Sequence, residues 1–348
     1  MNMDTSLAAM SAVQATLVHD SSEPSESQAT LTIAIPTYRR PGLLLKAIES
    51  VLQQTDLNQV ELLVVDNDAD SDSKAVVERL RQISVLPVRY LRNHANVGMF
   101  GNWNRCVVLC RTEWLTILND DDLLLPEYVR EMRAGSERSR SAAYACRCLV
   151  QDDRPVERQG NRRLNLINRL LALRSQPAEH RLGAIHYFLQ NRHYGSLGLM
   201  FRRRAAEDVQ GFDASYYPSS DFHFFSSLAV RGGVTLLQKP LAVYRISVNE
   251  SLKLETINRW REIDADIRRA LGTRVLAPAW LKERYIRLAA IHEYLGRTRE
   301  SQIVTISAAR PVHWLRRHGT LLALLGTGLA LQAWHAVAAR AAETKTSA

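Results

Sequence analysis

The stretch that decides the fold runs from Glu113 to Pro126 and reads EWLTILNDDDLLLP. Its opening, EWLTIL, is a short apolar run that is typical of a buried β-strand. Three aspartates follow after Asn119, and adjacent carboxylates at the end of a buried strand repel one another unless a cation or hydrogen-bond donors compensate them. The same residues lie where a helix would begin, so an N-cap is the alternative interpretation.

Upstream of this stretch the chain alternates between strand-like and helix-like segments. LTIAIP at 31–36, QVELLVVD at 59–66 and PVRYLRN at 87–93 have the apolar runs of strands, and segments of helical spacing separate them. This alternation predicts an α/β fold with a mostly parallel sheet, whose ligands bind at the carboxyl ends of the strands. We expect the polar residues that follow the four strands to converge there. They are Thr37, Tyr38, Asp66, Asn67, Asn96 and Asp120 to Asp122.

The composition along the chain predicts three regions. Residues 1–29 are rich in Ser, Glu, Gln, Ala and Thr and predict a disordered leader. Residues 30–251 predict the α/β domain, and residues 252–348 predict a helical C-terminal region. In the latter, the segment 320–339 has no formal charge when its histidine is neutral, and its length admits a membrane span. A helix on a membrane or partner surface, a span and a packed core helix remain open for it.

The net charge of +9 is concentrated in one part of the chain. Residues 133–204 hold 15 arginines and five acidic residues, so this stretch alone exceeds the net charge of the whole chain. It predicts an anionic partner, such as anionic lipid, nucleic acid or a phosphorylated substrate, unless it is only a solvated surface. Because aromatic residues do not interleave with these arginines as stacking platforms would, nucleic acid is not predicted as a partner.

Cysteine usage and the N-terminus bear on the cellular compartment. The four cysteines form no CxxC pair and have no histidines at zinc-site spacing, which is typical of buried thiols in a reducing compartment. The N-terminus lacks the basic and apolar regions of a secretory signal. These features predict a cytoplasmic protein.

A divalent cation would compensate the charge of the aspartate triplet. Ligation by one or two carboxylates, completed by water and phosphate oxygens, is typical of Mg²⁺ or Mn²⁺. Such an ion holds a diphosphate and neutralises its charge as it leaves. A nucleotidyltransferase would use a similar acidic strand end, but it would normally need a glycine-rich phosphate loop, which PTYRRPG at 36–42 does not provide.

Four motifs lie in order between Leu31 and Val129: IAIPTYRRPGLLLKAIESVLQQT, ELLVVDNDADSD, NHANVGMFGNWNRC and EWLTILNDDDLLLP. Together they resemble the family 2 glycosyltransferases of the GT-A fold. The first two resemble the first and second strands of that family with their loops, the third its N-x-G segment, and the fourth its D-x-D strand end. Weaker similarity follows in GFD at 211–213, SSDFHFF around Asp221 and YRISVNES from Tyr244.

The resemblance implies a fold and an activity. The fold is a GT-A type, Rossmann-like sheet flanked by helices, with residues 30–130 as the nucleotide-sugar-binding half and 131–251 as the acceptor-side half. The activity is inverting transfer of a sugar from a nucleotide-diphosphate-sugar to a hydroxyl of a glycan or lipid-linked glycan, with Mg²⁺ or Mn²⁺. The implied setting is cell-surface polysaccharide synthesis at the cytoplasmic face of the membrane, where peripheral membrane contact would fit the arginines and the apolar segment.

The resemblance also implies roles for particular residues. Asp121 and Asp122 would hold the metal, with Asp121 in direct contact, and Asp221 would be the base that takes the acceptor proton. Tyr38 would stack on the base of the nucleotide. The remaining residues implied to bind the donor are Pro36, Thr37, Asp66, Asn67, Asn96, Gly98, Asn102, Asp120 and Arg245.

Three positions depart from the family pattern. Asn67 replaces the second of two acids that face the nucleotide, Ser220 replaces the glutamate before the catalytic aspartate, and Ser247 replaces a histidine that is a candidate metal ligand. For Asp221 an N-cap role is the alternative, and His223 is the alternative base. A non-catalytic glycosyltransferase-like protein that binds the nucleotide-sugar therefore remains open beside the enzyme.

Overall fold

A computed structural model describes residues 4–21, 29–138, 140–152, 178–191, 195–246, 254–300 and 310–346, apart from the side chains at 296, 298–300, 310–318 and 341–346. Part of the arginine-rich stretch, position 247 and the predicted boundary after residue 251 lie outside the described residues.

Ten strands of the described residues form one sheet. They are β1 Ala15–Asp20, β2 Leu31–Thr37, β3 Val60–Asp66, β4 Val88–Asn93, β5 Trp114–Ile117, β6 Leu123–Leu124, β7 Ala143–Asp152, β8 Glu179–Leu182, β9 Leu199–Arg202 and β10 Val234–Ile246. Their order is β1-β4-β3-β2-β5-β9-β7-β10-β6, and β8 pairs with β10. The neighbouring strands β4, β3, β2 and β5 are parallel, and strands with antiparallel pairing extend the sheet on both sides. The predicted α/β class with a parallel central sheet is confirmed.

Strands β2 and β3 are buried along their whole length. Ile33 and Ile35 belong to one buried apolar cluster and Ala34 to a second cluster, so apolar material packs on both faces of the sheet. A strand covered on both faces needs a continuous apolar run, which is what the sequence pattern shows. The register pairs Thr37 with Asp66, so the two strands end level with each other.

The helices pack against this sheet and against each other. They are α1 Leu7–Ser11, α2 Pro41–Leu52, α3 Lys74–Arg81, α4 Gly98–Leu109, α5 Tyr128–Arg138, α6 Ala184–Leu189, α7 Arg203–Asp208, α8 Ser220–Arg231, α9 Leu254–Gly272, α10 Ala279–Glu300 and α11 Arg310–Thr346. Helix α2 begins with a proline, whose missing N–H costs nothing in the first turn. The predicted helical C-terminal region is confirmed for the residues that the structure describes.

The prediction of a disordered leader at residues 1–29 is wrong for the segment that forms α1 and β1. Strand β1 pairs antiparallel with β4, so it covers hydrogen-bonding groups that would otherwise form an open sheet edge. Two side chains of α4 hold the segment before β1: Asn104 Nδ2 donates to the carbonyl of Thr5 at 2.6 Å, and Arg105 Nη1 donates to that of Met10 at 2.7 Å. Composition misses this segment because its partners lie about 70 to 100 residues away.

Helix α11 carries the apolar segment predicted at 320–339. Residues Gly319–Arg340 are long and apolar enough to cross a membrane, and 11% of their most apolar window is buried inside the protein. Leu331 and Thr327 are buried against the rest of the chain, and His335 Nδ1 accepts a hydrogen bond from the Leu276 backbone at 3.0 Å. The low buried share contradicts a core helix, although one side of α11 packs on the rest of the chain.

Candidate functional site

The loop between β5 and β6 holds the aspartate triplet. Asp120 is buried, and its Oδ2 accepts a hydrogen bond from Thr37 Oγ1 at 2.8 Å. Its Oδ1 lies 3.4 Å from Nη1 of Arg40, which precedes α2. The ends of β2 and β5 are therefore joined at the acidic loop.

Asp122 points into the protein, with 1% of its surface exposed. Its Oδ2 accepts a hydrogen bond from Asn119 Nδ2 at 3.1 Å, and its Oδ1 accepts one from the backbone N of Arg245 at 3.1 Å. The main chain of Arg245 therefore lies beside the aspartate triplet. Asp122 fastens the end of β10 to the acidic loop.

Asp121 differs from its two neighbours because its side chain reaches solvent. That side chain is 25% exposed, and its Oδ2 lies 3.1 Å from Nη1 of Arg40. Of the two residues predicted to hold a metal, Asp121 is accordingly the one that can present an oxygen to a bound ion.

The electrostatics of the loop fit a cation. Burial, together with the charge of Asp121, raises the pKa of Asp120 to about 6 and that of Asp122 to about 7. Negative charge at this loop is therefore under-compensated by the protein. A carboxylate oxygen in a loop that lacks compensating positive charge is a suitable ligand for Mg²⁺ or Mn²⁺. Within the described ranges no group of three or more His, Cys, Asp or Glu could hold a metal alone, so water and substrate oxygens would complete the coordination.

The loops after β2 and β3 form the neighbouring part of the rim. Tyr38 is partly exposed, and the guanidinium of Arg39 lies 5.0 Å from the centre of its ring. Arg39 also pairs with Asp68 at 3.0 Å. Asp66 is buried and accepts hydrogen bonds from Tyr90 Oη at 2.7 Å and from the backbone N of Asp68 at 3.0 Å. Tyr38 is therefore partly open to solvent beside Arg39, while Asp66 holds the loop after β3.

The asparagines predicted to bind the donor differ in what they contact. Asn67 is 3% exposed and donates to Asn96 Oδ1 at 2.7 Å, and its own Oδ1 accepts from the Val97 backbone at 3.0 Å. Asn102 is buried and donates to the carbonyl of Val65 at 3.0 Å. These two amides are used inside the protein to hold the loop before α4. Asn96 itself is exposed at the rim, where a ligand can reach it.

Gly98 lies at the start of α4 with φ +75°, a conformation that side chains rarely adopt. Its carbonyl accepts a second hydrogen bond from Asn67, at 3.2 Å. Asn93, which sequence reasoning missed, donates to both Asn67 and Asn102 at 3.2 and 3.0 Å. Its position at the end of a strand was the available signal. Pro36, the second-last residue of β2, is buried within the sheet.

Asp221 lies in the first turn of α8. It is 9% exposed, and its Oδ1 accepts a hydrogen bond from the backbone N of Phe222 at 2.8 Å. Burial raises the pKa of Asp221 to about 6, against the opposing effects of the Phe222 backbone hydrogen bond and the Arg297 charge. A carboxylate with such a pKa accepts protons well near neutral pH. The alternative base, His223, stacks on Tyr216 with ring centres 3.8 Å apart, and burial lowers its pKa.

Two groups of contacts position α8. Phe100 of α4 packs edge-on against Tyr217, which precedes α8, with ring centres 6.4 Å apart. On the other side Ser219 Oγ donates to Asp264 of α9. Asp264 belongs to a buried ion cluster with Arg268, which in turn contacts Glu293 of α10 at 2.5 Å. The C-terminal helices therefore hold the helix that carries Asp221.

Comparison with known proteins identifies the chain. The family model described as glycosyl transferase family 2 matches residues 32–209, which is half of the sequence. The chain belongs to this family. The resemblance that the four motifs carry is confirmed, and so is the transferase class that it implies. Asp221 and Arg245 lie beyond the matched residues, so their roles are not transferred by this match.

Individual relatives are similar over parts of their length. A GalNAc(5)-diNAcBac-PP-undecaprenol β-1,3-glucosyltransferase of Campylobacter jejuni is 35% identical over 95 residues, which are 27% of this chain and 30% of that enzyme. The succinoglycan biosynthesis protein ExoO of Rhizobium meliloti is 25% identical over 240 residues, 68% of this chain and 66% of the relative. The chain thus matches less than two thirds of either relative.

A solved structure shows the same fold. A mannosyltransferase of Pyrobaculum calidifontis in complex with GDP-Man and Mn²⁺ superposes with a TM-score of 0.50 at 16% identity, and the match covers 89% of this chain and 90% of that one. At this identity the likeness establishes the GT-A fold and nothing about specificity.

Proposed function

We propose that the protein is an inverting glycosyltransferase that moves a sugar from a nucleotide-diphosphate-sugar to a hydroxyl of a glycan or lipid-linked glycan, with Mg²⁺ or Mn²⁺. The observation that carries the proposal is the position of Asp121, a solvent-facing carboxylate beside two buried carboxylates at the carboxyl edge of the sheet. In a member of this family, that edge is where a nucleotide-sugar would bind. Synthesis of cell-surface polysaccharide is the proposed setting, which the similarity to a succinoglycan biosynthesis protein supports.

The donor would lie along the rim described above. Tyr38 offers an aromatic face to the nucleotide base, and the exposed Asn96 and Gly98 border the path of the sugar-diphosphate. Asp121, supported by Asp122, would hold the metal, which supplies charge neutralisation of the diphosphate when it is bound. Arg245, whose backbone contacts Asp122, would add a positive charge for the diphosphate. Asp120 keeps Thr37 in place at the end of β2.

The transfer step needs a base on the acceptor side. In the proposed step the acceptor hydroxyl oxygen attacks the anomeric carbon, the bond from that carbon to the diphosphate oxygen breaks, and the configuration inverts. The hydroxyl proton passes to the carboxylate of Asp221, and the electron pair of the broken bond leaves with the diphosphate. The raised pKa of Asp221 supports this role, because a base is most effective when its pKa lies near the working pH.

The proposed function is tested by a panel of nucleotide-sugars, each measured for thermal stabilisation of the protein with Mn²⁺ and with EDTA. We expect one diphosphate class to raise the melting temperature by about 5 °C or more at a hundredfold excess over its Kd, and only with metal. CMP-sugars, which lack a diphosphate, are the matched control. Stabilisation that is equal in EDTA would contradict metal dependence. Slow cleavage of the stabilising donor to its nucleoside diphosphate is expected of an enzyme and not of a non-catalytic binder.

The acceptor side of the proposal includes contact with a membrane at its cytoplasmic face. The large apolar side chains Leu322, Leu329 and Val337 are between 62% and 71% exposed on α11, while Leu331 on another side of the helix is buried. Because one side is docked on the folded domain, a helix lying in the membrane surface fits better than a span. The net charge of +9 complements anionic lipid. The Campylobacter relative acts on an undecaprenol-linked substrate by its name, which agrees with a lipid-linked acceptor.

Membrane contact through α11 predicts a defined mutational effect. Leu322→Glu, Leu329→Glu and Val337→Glu combined should weaken co-sedimentation with vesicles of phosphatidylglycerol and phosphatidylcholine by at least about 100-fold, because three apolar side chains no longer enter the lipid. Gln332→Glu, an exposed polar position on the same helix, is the matched control and should sediment like the wild type. Equal sedimentation of the triple variant, or a wild type that stays in the supernatant, would contradict the contact.

A further inference from the structure

We propose that Arg40 is the resident counter-cation of the acidic loop, that it leaves Asp121 when a divalent cation binds there, and that it then binds the donor diphosphate. This inference rests on the proposed function and adds a residue to it. The sequence motifs do not point to Arg40, since it is one of two adjacent arginines in the loop after β2.

The position of Arg40 supports the first part. Its Nη1 donates to Asp121 Oδ2 at 3.1 Å and to Asp120 Oδ1 at 3.4 Å, so one guanidinium nitrogen bridges two carboxylates. Asp121 Oδ2 is thus already engaged on the one aspartate of the triplet that reaches solvent. A metal ion held by that oxygen would place a second positive charge close to the guanidinium. Guanidinium and metal therefore compete for the same carboxylate.

The exposure of the Arg40 side chain supports the second part. The side chain of Arg40 is 49% exposed, and its terminal guanidinium is the part that contacts Asp121. Its backbone is held directly before Pro41 at the start of α2. The guanidinium can leave Asp121 without moving the helix. A freed guanidinium at this rim lies beside the place proposed for the diphosphate, and a planar fork of donors suits phosphate oxygens.

The adjacent arginine provides a matched control. Arg39 belongs to the same loop and its side chain is 63% exposed, but it pairs with Asp68 at 3.0 Å rather than with the triplet. Both arginines are surface side chains, so replacing either with glutamine should leave the fold intact, which circular dichroism can verify. Only Arg40 should affect binding of a metal to Asp121.

The first measurement uses Mn²⁺ alone, titrated into the full chain and followed by electron paramagnetic resonance. Arg40→Gln should bind Mn²⁺ at least about tenfold tighter than the wild type, since the competing charge is gone, and Arg39→Gln should stay within about twofold. Equal Mn²⁺ affinity in Arg40→Gln and the wild type would overturn the inference while leaving the proposed metal site standing. If Mn²⁺ binds neither protein, with or without nucleotide, the proposed metal-dependent function fails as well.

The second measurement adds UDP or GDP at saturating Mn²⁺ and follows binding by calorimetry. For the diphosphate that the wild type binds, Arg40→Gln should lose at least about tenfold in affinity, although it binds the metal more tightly. The variant should thus gain affinity for the metal and lose affinity for the diphosphate. A merely structural role of Arg40 would not change the two affinities in opposite directions. Unchanged or tighter diphosphate binding in Arg40→Gln would overturn the second part.

Discussion

Replacing Asp221 with asparagine should lower the turnover of sugar transfer by about 10²–10⁴-fold and leave donor affinity nearly unchanged. The asparagine side chain has the same shape, and its carbonyl oxygen can still accept the hydrogen bond from the backbone of Phe222. The fold of α8 should therefore persist, while the group that takes the acceptor proton is lost. Single-turnover kinetics with the donor found in the panel, together with calorimetric donor binding, separate these two effects.

The pH dependence of the wild type provides a second test of the same residue. A base acts in its deprotonated form, and burial raises the pKa of Asp221 to about 6. With metal and donor saturating, we expect kcat to fall as the pH drops through about 6, because the carboxylate of Asp221 becomes protonated. The Asp221→Asn variant should lose this inflection.

The control for Asp221 is an exposed carboxylate on a neighbouring helix. Asp266 of α9 is largely exposed and pairs with Arg269, so Asp266→Asn removes a negative charge without touching the proposed site. Its turnover should lie within about twofold of the wild type, since exposed ion pairs contribute little. Near-normal turnover of Asp221→Asn would instead assign the proton transfer to another group.

Replacing Asp121 with asparagine should abolish the metal-dependent thermal stabilisation by nucleoside diphosphate. The change removes the charge of the one triplet carboxylate that reaches solvent, and it keeps the size of the side chain. At a hundredfold excess over Kd the wild type gains about 2.7 kcal/mol of unfolding free energy from its ligand, and we expect the variant to gain almost none. Thermal melts with and without Mn²⁺ measure the difference.

Asp70→Asn is the matched control for Asp121. Asp70 is an exposed carboxylate in the loop after β3, at the same edge of the sheet, and no contact of the acidic loop involves it among the described residues. Its metal-dependent stabilisation should equal that of the wild type. Full metal-dependent stabilisation of Asp121→Asn would contradict the proposal that the metal binds at this loop.

The N-terminal segment and the asparagine cluster show where sequence reasoning reaches its limit. Strand β1 is a short segment of mixed composition, and its pairing with the distant β4 places it in the sheet. Asn67 matched a donor-binding position of the family, yet its amide is used to hold the loop before α4. A motif identifies the place of a side chain along the chain, whereas its direction depends on neighbours from other elements.

The sequence by itself determined the central sheet and the edge where the site lies. Strands buried on both faces require continuous apolar runs, and the ends of parallel strands meet at one edge, so four local patterns sufficed. Only the tertiary structure decided how three adjacent aspartates differ. Their partners Thr37, Arg40 and Arg245 lie 83, 81 and 123 residues away from the aspartates they contact. Contacts over such separations form only when the chain packs. They hold Asp120 and Asp122 inside the protein and leave the side chain of Asp121 partly exposed to solvent.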